Sequence, residues 1–330
     1  MSADLVSVIE AAYETEQGDG AWLRRIGDFA CRELDQGLGG YGALYDVTSG
    51  AMRFGAGASL GLSDSLLQAI LQANALAPPE VVARMYRAGP ACSAGSTASG
   101  LGRRWKGEPG IARAIAVTTA MDAIGVITGD PSGVGCAFLF PKHAIGPVPK
   151  ATGILWSRIA AHIAAGFRLR RAGARSAVAE AVLSPSGRID HAEVAAQGAS
   201  LRAALTDGAK RMGQARGALR RRNPSEAVET WRALVAGRWS LVDHFDHDGR
   251  RFLLARRNEP SGRTLAGLTA QEYEVLALAA LGHTNKFIAY QLGLSPSGVA
   301  MRLSRAGTKL RVRTRLELIA AYRRAATAGR

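Results

Sequence analysis

Between positions 295 and 315 the chain carries Ser295, Ser297, Arg302, Ser304, Arg305, Thr308, Lys309 and Arg315, with no Asp or Glu among them. Hydroxyl, ammonium and guanidinium groups of this kind hydrogen-bond to anions and to the heteroatoms of planar rings, so the chemistry on offer is recognition. Residues set at about 100° per step place Val299, Leu303, Ala306 and Leu310 in one narrow apolar arc. The opposite side carries Ser297, Met301, Ser304, Arg305 and Thr308, with Arg302 and Lys309 on one flank and Ala300 on the other. A helix seated in the major groove presents its N-terminal residues to base edges, where Arg can hold guanine bidentately and Ser can pair with several bases. Base reading is therefore expected of Ala300, Met301, Ser304 and Arg305, and phosphate contact of Ser295, Ser297, Arg302, Lys309 and Arg315.

Four short helices between Leu268 and Ala325 must position these groups, and each has a chemical start signal. Thr269 with Glu272 three residues later forms a capping box, and Gly282 suits the stop of that helix. Asn285 is the expected cap of the second helix, and Gly293 its terminator. The corner Gly293-Leu294-Ser295 has the short length of a helix-turn-helix connection. Ser295 then caps the third helix with Pro296 at its first position, and Thr314 with Glu317 repeats the capping-box spacing at the fourth.

This segment resembles the LuxR-type helix-turn-helix domain. The shared residues are Leu268-Thr269, Glu274-Val275-Leu276, the run from Gly282 through Thr284-Asn285-Lys286 to Ile288-Ala289, and Lys309-Leu310 through Val312, Arg315, Glu317 and Leu318. The family's third helix usually reads T-V-x-x-H; here Gly298 stands for the threonine and Arg302 for the histidine. The resemblance implies sequence-specific binding to double-stranded DNA as a homodimer, with the fourth helix as the dimer contact through Thr314, Leu318, Ala321 and Tyr322. Region 4 of sigma factors is a rival for Val299 to Arg311. Against it, the fourth helix continues the LuxR pattern and no aromatic-rich promoter-melting segment lies upstream. An alternative of a different class is a ligand-binding interaction protein whose helical tail docks on RNA polymerase or a sigma factor.

Charge agrees with a polyanion at one end. Residues 1–150 hold 12 Lys and Arg against 14 Asp and Glu, residues 151–262 hold 19 against 10, and residues 263–330 hold 11 against 3. The net +15 is thus confined to the second half, as expected where one end of a chain meets nucleic acid. No apolar run approaches the roughly 20 residues of a membrane span. The acidic amino terminus is unlike a signal peptide. Cys31, Cys92 and Cys136 are far apart and form no C-x-x-C pair, which points to a reducing cytoplasm rather than a disulfide framework or metal site. No triad, Walker motif or dinucleotide motif supports catalysis, and no cofactor is implied.

The amino-terminal half alternates expected helices and strands: helices at Leu5–Tyr13, Trp22–Leu34 and Ser63–Asn74, and strands at Gly40–Asp46 and Met52–Ala58. A long irregular stretch is expected at Pro90–Gly110, then strands at Asp122–Thr128 and Gly135–Pro141 about a turn at Gly129–Gly133, and an exit helix at Val148–Arg171. This order resembles a GAF-type sensory domain, which implies an antiparallel sheet with helices and a small-molecule or protein signal. Ile154, Leu155, Ile159, Ile163 and Phe167 form one apolar side of the exit helix, suited either to its own domain or to a twin.

The middle segment reads as a hairpin at Ala181–Glu193, helices at Ala196–Arg221 and Ser225–Ala236, and a second hairpin pairing Trp239–Phe245 with Arg251–Arg256 through Asp248-Gly249. Strand, helix, strand in this order resembles a PAS domain, and it suits a family-specific linker domain equally well. The Asp/His run at 243–248 suits a solvated hairpin end better than a metal site, because alternate strand residues face opposite ways. The expected architecture is multidomain α+β: a GAF-like domain at 1–171, a small α/β domain at 172–262 and an all-α four-helix domain at 263–330.

Overall fold

The computed structural model describes residues 4–87, 89–129, 133–173, 178–258, 265 and 267–328, with side chains up to 325. The middle of the turn expected at 129–133 and the expected boundary at 262/263 lie outside the described residues. The chain forms two compact units, Met1–Arg170 with Asn223–Val228, and Arg171–Arg222 with Glu229–Arg330. Apart from Asn223–Val228, the middle and carboxy-terminal segments therefore share a unit.

The first unit is built on a five-stranded antiparallel sheet. Its helices are α1 (Leu5–Ala12), α2 (Asp19–Leu34), α3 (Asp64–Leu76), α4 (Pro79–Tyr86), α5 (Gly95–Ala98), α6 (Pro109–Val117) and α7 (Lys150–Ala172). Its strands β1 (Gly40–Asp46), β2 (Arg53–Leu60), β3 (Ala91–Ala94), β4 (Asp122–Ile127) and β5 (Val134–Lys142) lie in the order β2-β1-β5-β4-β3. The central strand β5 is buried almost throughout, as a strand covered on both faces must be.

The stretch from Pro90 to Gly110 is ordered, against the sequence expectation. Ala91–Ala94 pairs with β4 as an edge strand, and the buried Asp122 carboxylate accepts from the Ser96 N–H at 3.1 Å and hydroxyl at 2.6 Å. Glu108 caps α6 by accepting from the Ile111 N–H at 2.9 Å. Gly, Ser and Ala carry little periodic signal, so long-range bonds supply the order here. The exit helix α7 is buried right round from Ile159 to Phe167, more than the single apolar side expected. Gly166 of α7 lets the Ala12 carbonyl approach, and Tyr13 Oη lies 3.1 Å from His162 Nδ1.

Three free cysteines lie in this unit, Cys92 and Cys136 buried and Cys31 partly so. Burial pushes the Cys92 and Cys136 thiols up to about 12 and Cys31 to about 11, so none is a ready thiolate.

The second unit opens with the sheet β7-β6-β9-β8, formed by β6 (Ala179–Leu183), β7 (Ile189–Ala192), β8 (Trp239–Phe245) and β9 (Arg251–Arg257). Both hairpins occur at the expected places. Helices α8 (Ala199–Arg216) and α9 (Leu219–Arg222) follow the first hairpin; α10 (Pro224–Thr230) falls mostly in the segment Asn223–Val228 counted with the first unit, and the helix expected as far as Ala236 ends at Thr230. Asp243 is taken up by Arg216 at 2.6 Å and Arg251 at 2.8 Å. The final helices are α11 (Ala270–Ala280), α12 (Asn285–Leu292), α13 (Pro296–Leu310) and α14 (Arg315–Ala328). Among the described residues, no helix is long and apolar enough to cross a membrane.

Candidate nucleic-acid interface

The four carboxy-terminal helices begin as their sequences dictate, with one change. Thr269 and Glu272 form the full capping box of α11, and Ser295 accepts from the Gly298 N–H at 3.0 Å with Pro296 inside the first turn of α13. The Thr314 N–H donates to Glu317 at 3.1 Å, while the Glu317 N–H donates to the Thr314 hydroxyl at 3.2 Å. At α12 the cap is Thr284, whose hydroxyl accepts from the Phe287 N–H at 3.3 Å, and not Asn285. Asn285 occupies the first helical position, and its side-chain oxygen instead accepts from Arg315 Nη1 at 2.7 Å. Gly293, at φ +62°, ends α12 in the left-handed conformation that glycine adopts without strain.

Two small cores hold the helices. Val275, Leu278, Ile288, Leu292 and Val299 form one together with Leu234, and Leu268, Leu276, Ala306 and Leu318 form the other. Val299 and Ala306 are fully buried, and Leu303 and Leu310 pack against these clusters, so the apolar arc of α13 faces inward. Ser297, Ala300, Met301, Ser304, Arg305 and Thr308 are exposed, Met301 at 46 %. Among the described residues, Arg305 holds no hydrogen-bond or ion-pair partner. With no carboxylate anywhere on α13, its outer face is a polar and cationic surface about 22 Å long.

The other expected contact residues fall differently. Ser295 and Ser297 are exposed at the start of α13, their hydroxyls 3.0 Å apart. Arg302 donates to Gln271 Oε1 at 2.9 Å and to the Gly298 carbonyl at 3.1 Å. A Cβ on Gly298 would stand 3.3 Å from that guanidinium, so the two departures from the LuxR-type pattern touch each other. Lys309 Nζ donates to Glu272 at 2.6 Å, and Arg315 bridges Asn285 and the His283 carbonyl.

Glu272 was legible only as half of a capping box; its role as the partner of Lys309, 37 positions away, left no local sign. Burial alone would raise its carboxyl. The Lys309 ammonium and the Thr269 bonds outweigh this and hold it below the ordinary glutamate value.

On α14 the structure corrects the orientation of the expected dimer residues. Leu318 is 4 % exposed within the domain's own core, and Tyr322 is partly buried with its ring 5.6 Å from Tyr273. Both face inward because a stripe at three-to-four spacing must bury against α11. Ala321 is half-buried, Thr314 is exposed at the helix entry, and the prominent outward apolar side chain is Leu316, 79 % exposed.

Residues 231–238 were missed altogether as part of this region. Leu234 sits in the helical core, the Gly237 N–H donates to the Leu292 carbonyl at 2.6 Å, and Gln271 Nε2 donates to the Ala236 carbonyl at 3.3 Å. The same loop is fixed to the sheet, where Glu180 accepts from Arg238 at 3.0 Å and from the Trp239 indole at 2.7 Å. Through Gln271 the contacts continue to Arg302 on α13.

The chain matches no curated protein and no solved structure at a significant level. Residues 266–322 match the family model GerE, described as bacterial regulatory proteins, luxR family. With four capped helices, an inward apolar arc and an outward cationic face, the carboxy-terminal domain is a luxR-family helix-turn-helix, a domain of DNA-binding transcription regulation.

Proposed function

We propose that the protein is a sequence-specific transcription regulator that binds double-stranded DNA as a homodimer, under the control of a signal sensed in the amino-terminal half. The observation that carries this reading is the outer face of α13: open, cationic, free of carboxylates and mounted on a buried apolar arc. Ala300, Met301, Ser304 and Arg305 are the proposed base readers. Ser295, Ser297, Arg302, Lys309 and Arg315 are the proposed phosphate contacts. The last three hold internal acceptors, so they exchange these for phosphate on binding.

Two copies would set their α13 helices about 34 Å apart in successive major grooves, which calls for an inverted-repeat site. For the sensory role, support comes from the five-stranded antiparallel sheet with flanking helices, the architecture that a GAF-like domain implies. The full-length chain, titrated with a random duplex pool across a salt series, tests the reading. Binding whose logarithm falls linearly with the logarithm of salt, enriching a symmetric site, supports it. Absence of duplex binding at low salt together with capture of RNA polymerase or a sigma factor supports the docking alternative instead.

A further inference from the structure

The second unit contains a cleft of about 470 Å³, open to solvent, between the β6–β7 turn and α8. Ser186, Gly187, Arg188 and Ile189 line one wall, and Arg202, Ala203, Thr206 and Lys210 the other. The turn is seated directly on the helix. Thr206 Oγ1 donates to the Gly187 carbonyl at 2.9 Å, and Gly187, at φ +89°, leaves no room for a side chain above the Thr206 carbonyl. Ser184 closes the turn by accepting from the Arg188 N–H at 3.1 Å and lies 2.8 Å from the Ser186 hydroxyl.

Three cations reach this cleft and no carboxylate lines it. Arg202, Thr206 and Lys210 recur at every fourth position of α8 and so share one stripe. Arg202 and Lys210 are exposed and, among the described residues, have no ion-pair partner. Arg188 gives its Nε to Asp190 at 2.9 Å, and the bond leaves its two terminal nitrogens for another acceptor. Asp207, the nearest acid on α8, is engaged by Arg211 at 2.6 Å and does not line the cleft.

Clustered cations with hydroxyls beside them, on a fixed turn, are the chemistry that holds phosphoryl oxygens. We propose that this cleft binds a small anion bearing two or more phosphoryl groups. Arg202 and Lys210 are eight residues apart, about 12 Å along the helix, a span that favours several linked phosphoryl groups over a single phosphate. No aromatic ring lines the cleft, so recognition rests on the phosphoryl groups and not on a stacked base. None of the residues lining this site belongs to α13, and the proposal does not depend on the DNA-binding reading.

The test uses the full chain without DNA, titrated with sodium tripolyphosphate at constant ionic strength and followed by calorimetry and thermal melting. Saturable binding with a raised melting temperature is expected. Arg202→Gln/Lys210→Gln should weaken it at least tenfold, while Arg222→Gln/Arg250→Gln, which removes the same charge outside the cleft, should leave it unchanged. Three outcomes would overturn the proposal: no saturable binding, equal weakening in both double variants, or a cleft variant that loses duplex affinity while keeping tripolyphosphate affinity.

Discussion

Leu234 and Gly293 meet so closely that a Cβ on Gly293 would collide with the Leu234 carbonyl, while the Leu234 side chain is fully buried in the core of the helix-turn-helix. The reading head thus includes a residue from the loop that precedes β8. Truncating a buried leucine costs about 2–5 kcal/mol, so Leu234→Ala should destabilise the helical domain by that order. Gly293→Ala should destabilise it more than Gly282→Ala, because a Cβ at Gly282, also at positive φ, meets open space. Urea unfolding of the full chain, followed by helical circular dichroism, checks both. Equal costs for the two glycines would mean that the loop does not press on α12.

The pair of Glu272 and Lys309 makes stability pH-dependent. The Glu272 carboxyl is held below its ordinary value in the folded protein, although burial works the other way. Its contribution is therefore complete above the unfolded-state value of roughly 4.3 and is lost as pH falls through the lower folded value. Wild type should lose stability more steeply below that pH than Glu272→Gln does. Lys309→Met, which strips the ammonium from a buried carboxylate, should raise the folded value toward or above the unfolded one and so shrink or abolish this acid loss, at the cost of lower stability near neutral pH. Unfolding midpoints between pH 3 and 7 provide the comparison; parallel curves for wild type and Glu272→Gln would refute the coupling.

Arg302, Gln271 and Gly298 act as one connected group. Single replacements Arg302→Ala and Gln271→Ala should each cost on the order of 1 kcal/mol of folding stability. Their double variant should fall short of the sum by about 0.5 kcal/mol or more, the signature of residues in contact. Additive losses would indicate that the guanidinium does not rest on Gln271 in solution.

On α14, Leu316 and Leu318 separate association from folding. Leu318→Ala should unfold the domain at lower denaturant, whereas the 79 % exposed Leu316 can become Lys with a change within about 0.5 kcal/mol. If α14 joins two copies, Leu316→Lys should shift sedimentation from dimer toward monomer with the fold intact. A Leu316→Lys protein that sediments as wild type would remove the outer face of α14 from the interface.

Much of the carboxy-terminal domain was legible because its helix starts are local chemistry: Thr269 with Glu272, Ser295 before Pro296, and Thr314 with Glu317 are short-range patterns. At α12 two candidate caps stood side by side, and only the register of the first turn selected Thr284 over Asn285. Strands β1 and β8 were equally readable, since apolar and aromatic residues there are bounded by turn formers. The stretch from Ala91 to Ser96 was not, because Asp122 and β4 order it from a distance. The same limit hid Leu234 and the partner of Lys309. A contact 30 to 60 positions away leaves no periodicity behind, and the inward turn of Leu318 and Tyr322 followed from packing against α11 rather than from family likeness.

The most direct measurement is the affinity of full-length wild type and Arg305→Ala for a selected duplex and for variants with one base pair changed, each over a salt series. Both proteins should show a steep negative salt dependence. Arg305→Ala should also lose about 1–3 kcal/mol at the cognate site and its preference at a single position. An unchanged base preference in Arg305→Ala, or no duplex binding by wild type at low salt, would contradict the assignment of α13 as the reading helix.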